Sequence, residues 1–384
     1  MEEASVKIVS KKEKYQICAK CIMDTTDSEI KFDKEGICNH CKKYDELKQK
    51  YVFSGEEGER KLKQIVKKIK KMGENRKYDC IIGVSGGLDS TYAAYIVKEL
   101  ELRPLAVHVD NGWNSELATR NIEKILSNLG IDLYTEVVNW EEFKSLQIAF
   151  LKASTPDLEI PTDHALLSVL YSVAIKEKIR YIIRGSNIET EGVLPVNWSH
   201  GHRDWKYIIN INKRFGTTKI KNYPHFSLLK LIYYKINIKE FNILNFIDYN
   251  KKEAEALIKK RFGWENYGEK HHESIYTRFI QSYILPKKFN IDKRRVYLSA
   301  LIRSSQITRN EALKEIKKEI YSPQQLREDK EYVIKQLGLN EKEFERIMLL
   351  PLKSFWDYPS YEKSYNNKFL RKVYNFLRDK SIGD

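Results

Sequence analysis

The stretch Tyr78-Asp-Cys-Ile-Ile-Gly-Val-Ser-Gly-Gly-Leu-Asp-Ser-Thr-Tyr92 decides how the chain is read. Cys80 to Val84 is an apolar run of strand length, and Ser85-Gly86-Gly87 follows it as a turn. A helix then starts near Asp89 and Ser90, with Tyr92, Ala93, Ile96, Val97 and Leu100 at helical spacing. A loop at that junction sits at a strand's carboxyl end and a helix's amino end. Backbone N–H groups and the helix dipole both favour an anion there. Gly86 and Gly87 let the backbone approach a phosphate without a Cβ in the way, Ser85 and Ser90 add hydroxyl donors, and Asp89 suits a cap or a Mg²⁺ ligand.

The loop lacks the Gly-Lys-Ser/Thr ending of a Walker A motif. It resembles the Ser-Gly-Gly-x-Asp-Ser pyrophosphate loop of the ATP pyrophosphatases. That resemblance implies ATP cleaved at the α-phosphate, with AMP transferred to a carbonyl oxygen.

From residue 78 onward, strands and helices alternate. Pro104 to Asp110, carrying His108, reads as a second strand leading into Asp110-Asn-Gly-Trp-Asn114. A helix over 115–129 closed by Gly130, a strand over 133–138, a helix from Glu141 and a helix over 164–178 follow. Tyr181 to Arg184 is a fourth strand, leaving through Gly185-Ser186-Asn187. Four strands separated by helices predict an α/β fold with a doubly wound parallel sheet, and ligands collect at the strand carboxyl ends of such a sheet. Those ends carry Ser85–Ser90, Asp110–Asn111 and Gly185–Asn187.

Ahead of this core, Cys18-x2-Cys21 and Cys38-x2-Cys41 stand sixteen residues apart, a spacing suited to a closed four-thiolate zinc site. His40, between Cys38 and Cys41, is a candidate to replace one of them, though four cysteines suffice. Cys80, inside the first strand, reads as a core residue. Five cysteines in this pattern fit a reducing, cytoplasmic compartment. No run approaches the about 18–20 apolar residues of a membrane span, and residues 1–16 lack the apolar core of a signal peptide.

The remaining organisation is expected as a zinc module over 1–50, a helical linker over 51–77, the ATP core over 78–190, a substrate-side region over 191–310 and helices over 311–384. Residues 188–266, rich in aromatics and basic groups, suit a substrate-side insertion or an oligomer interface. Lys251 to Arg261 reads as a helix. Glu269-Lys-His-His-Glu273 is too charge-dense to bury without a ligand, and Lys270 is the favoured phosphate contact. Leu285 to Arg295 reads as a basic loop, 296–303 as a helix, and Thr308 with Glu311 as a capping box. The net charge of +15, from 68 Lys and Arg against 53 Asp and Glu, suits anionic ligands of several kinds and selects none.

Taken together, the cysteine pairs, the pyrophosphate loop, Asp110-Asn-Gly-Trp-Asn114, Gly185-Ser-Asn-Ile-Glu-Thr-Glu191, Gly268-Glu-Lys-His-His-Glu-Ser274 and Leu285-Pro-Lys-Lys-Phe289 with Asp292-Lys-Arg294 resemble the N-acetyl sugar amidotransferases. The resemblance spans roughly residues 15–315. It implies an enzyme of surface-glycan biosynthesis that turns an acetamido group of a sugar acid into an acetamidino group. It implies ATP, Mg²⁺ held at Asp89, and Zn²⁺. It also implies a separate glutaminase resembling the histidine-pathway glutamine amidotransferase, often with a cyclase-like partner.

On this reading Asp89, Ser90 and Lys270 are catalytic. Ser85, Gly86, Gly87, His108, Asp110, Gly185 and Asn187 join Asp89 and Ser90 around ATP. Lys270, His271, Lys293, Arg294 and Arg303 are candidates for the sugar's carboxylate or diphosphate. Neither nucleic acid nor membrane is expected as a partner, and a homo-oligomer stays open. The competing reading is an RNA-modifying enzyme with the same loop, of the tRNA thiolase or lysidine synthetase type. A thiolase needs a relay cysteine beyond the zinc set, and only Cys80 remains.

Overall fold

The computed structural model describes residues 15–268 and 272–364. Its centre is a five-stranded, wholly parallel sheet: β1 (Cys80–Gly83), β2 (Pro104–Asp110), β3 (Asp132–Val137), β4 (Tyr181–Arg184) and β5 (Lys239–Asn242), in the order β3-β2-β1-β4-β5. The central strand shows why the sheet is buried. Cys80 and Ile82 face one apolar cluster and Ile81 the other, so both faces are covered. On the first face lie helices Gly55–Met72, through Leu62, Val66 and Ile69, and Leu88–Glu99, through Ala93, Ala94 and Val97. On the second lies helix Ile160–Lys176, through Leu167, Leu170, Val173 and Ala174. The predicted doubly wound fold is therefore present. The helix expected to be a linker is one of its covering layers.

Cys80 is fully buried, and burial pushes its thiol well above the ordinary range, as suits a core residue. Helix Glu116–Leu129 ends at Gly130 with φ +59°, as its sequence predicts. Helix Ile160–Lys176 starts earlier than expected, because Pro161 sits in its first turn, where a missing N–H costs nothing.

β5 is absent from the sequence reading. Its Glu240 is buried among cations: Arg184 Nη2 lies 2.6 Å away, Lys235 Nζ 2.7 Å, and Tyr171 Oη donates at 2.6 Å. Burial pushes this carboxyl up, but Arg184, Lys235 and Arg203 outweigh it and hold it down at about 2. The group's stabilisation is thus present above the ordinary glutamate range and lost as pH falls toward about 2. Glu240→Gln leaves buried cations unmatched and should cost about 3–5 kcal/mol at neutral pH, read as a lower denaturant midpoint. A midpoint equal to the parent's would show that the cluster is not structural.

The expected basic loop at 285–295 is instead largely helical. Helix Ile275–Phe279 runs into a π-helix, Ile280–Phe289, that contains Pro286 and stops at Asn290, with φ +56°. Lys288 then donates to the carbonyls of Ile347 (2.5 Å), Met348 (3.2 Å) and Leu350 (3.1 Å), closing the helix Glu341–Met348. The Thr308–Glu311 capping box is present. Among the described residues no helix is long and apolar enough to cross a membrane.

Candidate active site

The strand order changes direction at β1, whose neighbours are β2 on one side and β4 on the other. The crevice beyond the carboxyl ends of β1 and β4 is where such a sheet binds its ligand. A cavity of about 640 Å³ opens there.

Its floor is the loop after β1. Ser85 N–H donates to Ser90 Oγ (3.3 Å), Ser90 Oγ donates to Gly87 O (3.0 Å), and Gly87 N–H donates to Ser85 Oγ (3.3 Å). The two serines thus brace a turn whose helix, Leu88–Glu99, begins directly after Gly87. Gly86 has φ +80°, and a Cβ there would stand 2.6 Å from Ala118 O. Trp264 Nε1 donates to Gly86 O at 3.0 Å. Asp89, in the helix's first turn, lines the cavity and accepts a hydrogen bond from Tyr249 Oη. Burial and the Asp89 carboxylate push the Tyr249 phenol far up, so it stays a donor.

The other expected nucleotide residues divide. Gly185 lines the cavity, and a Cβ on it would stand 2.6 Å from Asp89 O, so the exit of β4 and the first turn of helix Leu88–Glu99 pass too closely for a side chain. His108 lines it too, held by Val84 O at Nδ1 (3.0 Å) and by Asn114 Nδ2 at Nε2 (3.0 Å). A proton on Nδ1 satisfies both bonds, which makes His108 a brace between β1 and the loop after β2. Asp110 shapes that loop, its Oδ1 accepting Gly112 N–H at 2.9 Å. Asn187 is buried and caps the short helix Ile188–Glu191, with Oδ1 accepting from Thr190 N–H at 2.8 Å. Asp110 and Asn187 thus build the walls from behind.

Of the expected substrate residues, Lys293 lines the cavity, 3.6 Å from Glu159. Burial opposes its charge, but Glu159, Tyr297, Asp157 and Asp163 hold it above the usual lysine range, so it remains an ammonium. Arg294 and Arg303 lie elsewhere. Arg294 forks onto Asp292 (2.8 Å) and reaches the carbonyls of Lys318 and Ile316, which spends its donors on the chain. Arg303 is buried against the cysteine cluster. Lys270 and His271 lie outside the described residues.

Glu273 lines the cavity as well, although the motif reading of the same charge-dense stretch singles out Lys270 instead. The segment pairs with the loop after β2: Ser115 N–H donates to Glu273 O (2.9 Å), and Ile275 N–H donates to Trp113 O (2.9 Å). This brings Glu273 Oε1 to 3.4 Å from the point a Cβ of Gly87 would occupy. Tyr267 lies beside it, its phenol pushed up by burial and by the charges of Glu273 and Asp89. A site chosen by motif match alone favours Lys270. The alternative signal was the i,i+4 carboxylate pair Glu269 and Glu273.

The four paired cysteines converge. Their sulfurs lie within 4.8 Å of one another and all are buried. Cys18–Cys41 is 3.9 Å, Cys21–Cys38 3.7 Å and Cys38–Cys41 3.7 Å. A tetrahedron with metal–sulfur bonds near 2.3 Å has edges of about 3.8 Å, so the cluster fits a divalent ion such as zinc. His40 does not take the place of a cysteine; its Nε2 pairs with Asp27 at 2.6 Å.

Sheet order, loop and crevice together define a parallel α/β fold with a candidate anion-binding loop after β1. The C-terminal part of the chain, residues 273–374, matches the family described as LPS biosynthesis protein WbpG-like, C-terminal domain. An uncharacterized protein of Methanocaldococcus jannaschii is 27% identical over 173 residues, 44% of this chain and 59% of that protein. Among solved structures, NMN synthetase from Francisella tularensis is 19% identical, with TM-score 0.27 over 33% of this chain and 55% of that one. NH3-dependent NAD synthetase from Campylobacter jejuni is 16% identical, with TM-score 0.26 over 38% and 58%. A predicted subunit of tRNA methyltransferase from M. jannaschii is 14% identical, with TM-score 0.28 over 46% and 74%. The chain therefore spans less than two thirds of the length of the curated relative and of both synthetases.

Proposed function

We propose that this chain is an ATP-dependent amidotransferase of surface-glycan biosynthesis, such as LPS assembly. It would convert an N-acetyl group of a sugar acid, nucleotide-linked or nonulosonic, into an acetamidino group. One observation carries the reading. Glu273, where the WbpG-like match begins, stands beside the pyrophosphate loop, and Lys293 of the same region lines the same cavity. A region related to LPS biosynthesis thus walls the space into which an activated carbonyl must reach.

The chemistry follows from what an amide lacks, a good leaving group. The amide oxygen attacks the α-phosphorus of ATP and pyrophosphate departs, leaving an O-adenylyl imidate. Ammonia adds to the imidate carbon, AMP leaves with the former amide oxygen, and loss of a proton gives the amidine. The loop N–H groups with Ser85 and Ser90 bind the departing pyrophosphate. Asp89 would hold Mg²⁺, which supplies positive charge against the phosphates. Lys293 meets an anionic group of the sugar. Glu273 takes the proton that ammonium or its adduct must lose. Cys18, Cys21, Cys38 and Cys41 would hold zinc as a cross-link, since four protein ligands leave no open position.

All five cysteines lie away from the cavity lining: four in the cluster and Cys80 inside β1. Neither a glutaminase nucleophile nor a thiolation relay is therefore at hand, which favours ammonia from a separate glutaminase, with or without a cyclase-like partner. The test supplies ATP, Mg²⁺, ammonium and candidate diacetamido sugars. The expected product is lighter by the difference between O and NH, formed with AMP. AMP formation with tRNA but with none of the sugars would overturn the reading.

A further inference from the structure

The cysteine cluster is gripped from the far end of the chain. Arg303, in the last turn of helix Arg294–Arg303, donates Nε–H to Cys41 Sγ (3.3 Å) and Nη2–H to Cys21 Sγ (3.3 Å). It is 8% exposed, with its guanidinium 5.6 Å from the Tyr44 ring centre. Four thiolates around a divalent ion leave excess negative charge, and burying such charge is costly unless it is matched. The same helix holds the knuckle's backbone. Arg295 donates to Ile22 O (2.9 Å) and pairs with Asp24 (2.9 Å), and Ser299 Oγ accepts Ile22 N–H (3.2 Å).

The helix also forms part of the cavity wall. Lys293, directly before it, and Tyr297, within it, line the cavity. Directly after it, Ser304 Oγ donates to Glu189 O at 3.0 Å, in the short helix behind Gly185. One helix thus touches the thiols at one end and the candidate substrate space at the other.

We propose that Arg303 is the counter-ion of the metal–thiolate centre, and that this contact positions helix Arg294–Arg303 and, through it, the cavity wall carrying Lys293 and Tyr297. Arg303 is a positioning residue acting through the thiolates. Metal occupancy sets the order of the substrate wall while the pyrophosphate loop, built on β1, stands independently. The inference holds whichever molecule is adenylated.

Hydrogen exchange on the unaltered, zinc-loaded protein tests it, before and after zinc is stripped with a chelator. Residues 293–303 should lose protection together with 18–41, while 80–99 keep theirs. Unchanged protection over 293–303, or an equal rise along the whole chain, overturns the proposal. Two variants give a second measure. Arg303→Met should release zinc to a chromogenic chelator about tenfold faster, in line with the loss of other outer-shell partners, and Arg303→Lys should fall between it and the parent. With cobalt in place of zinc, the sulfur-to-metal charge-transfer band should shift in Arg303→Met. Parental release rates and an unshifted band in Arg303→Met would overturn it as well.

Discussion

Asp89→Asn should cut AMP formation by at least about 10²–10³-fold and leave the fold intact. The residue lies in the first turn of helix Leu88–Glu99, facing the cavity, with Tyr249 donating to Oδ1. Asparagine keeps the size and can still accept from Tyr249, so the packing survives. What disappears is the negative charge that would hold Mg²⁺ against the departing pyrophosphate. An acidic group at a helix amino end contributes only about 0.3–1 kcal/mol, so the melting temperature should move by no more than a few degrees. Tyr249→Phe removes the phenol but spares the carboxylate, and its effect on turnover should be smaller. Parental turnover in Asp89→Asn would remove Asp89 from the machinery.

The thiol centre should give the largest change in stability. Cys21 and Cys38, 3.7 Å apart, lie in the same apolar cluster as Trp113, Phe279 and Phe344. The double substitution Cys21→Ser with Cys38→Ser should abolish zinc binding. It leaves buried hydroxyls and frees a segment that depends on its cross-link. A structural zinc contributes folding free energy directly, on the order of 10 kcal/mol in isolated fingers. Within a larger fold, a loss of at least about 3–5 kcal/mol is expected, roughly a 5 °C fall in melting temperature for a chain of this length. Cys80→Ala, a core trimming away from the cluster, should keep full zinc content. Equal melting temperatures and equal zinc in the double variant would show that the centre does not bind metal.

Sequence disclosed most readily what is local. Strand, glycine turn and helix lie within residues 78–92, and the cysteine pairs announce themselves by spacing alone. β5 stayed hidden because its four residues, Lys239 to Asn242, carry two charges, and the one that is buried is matched by Arg184 and Lys235 from other elements. Hydropathy cannot see a charge neutralised across the fold. The same limit misdirected Arg294 and Arg303. A basic residue near a motif looks like a ligand fork until its partner is known, and those partners are a neighbouring aspartate and two thiols far away in sequence. Lys293, one residue from Arg294, does reach the cavity. Glu273 reaches the loop through a backbone pairing with residues 113–115, a contact without any sequence signature.

The central claim is that AMP is transferred to an amide oxygen held above the Ser85–Ser90 loop. Its most direct test uses a substrate whose acetamido oxygen carries a heavy isotope. The label should leave the sugar completely and appear in the phosphate of AMP, with none in pyrophosphate. AMP without label, or a product that retains it, would contradict the account.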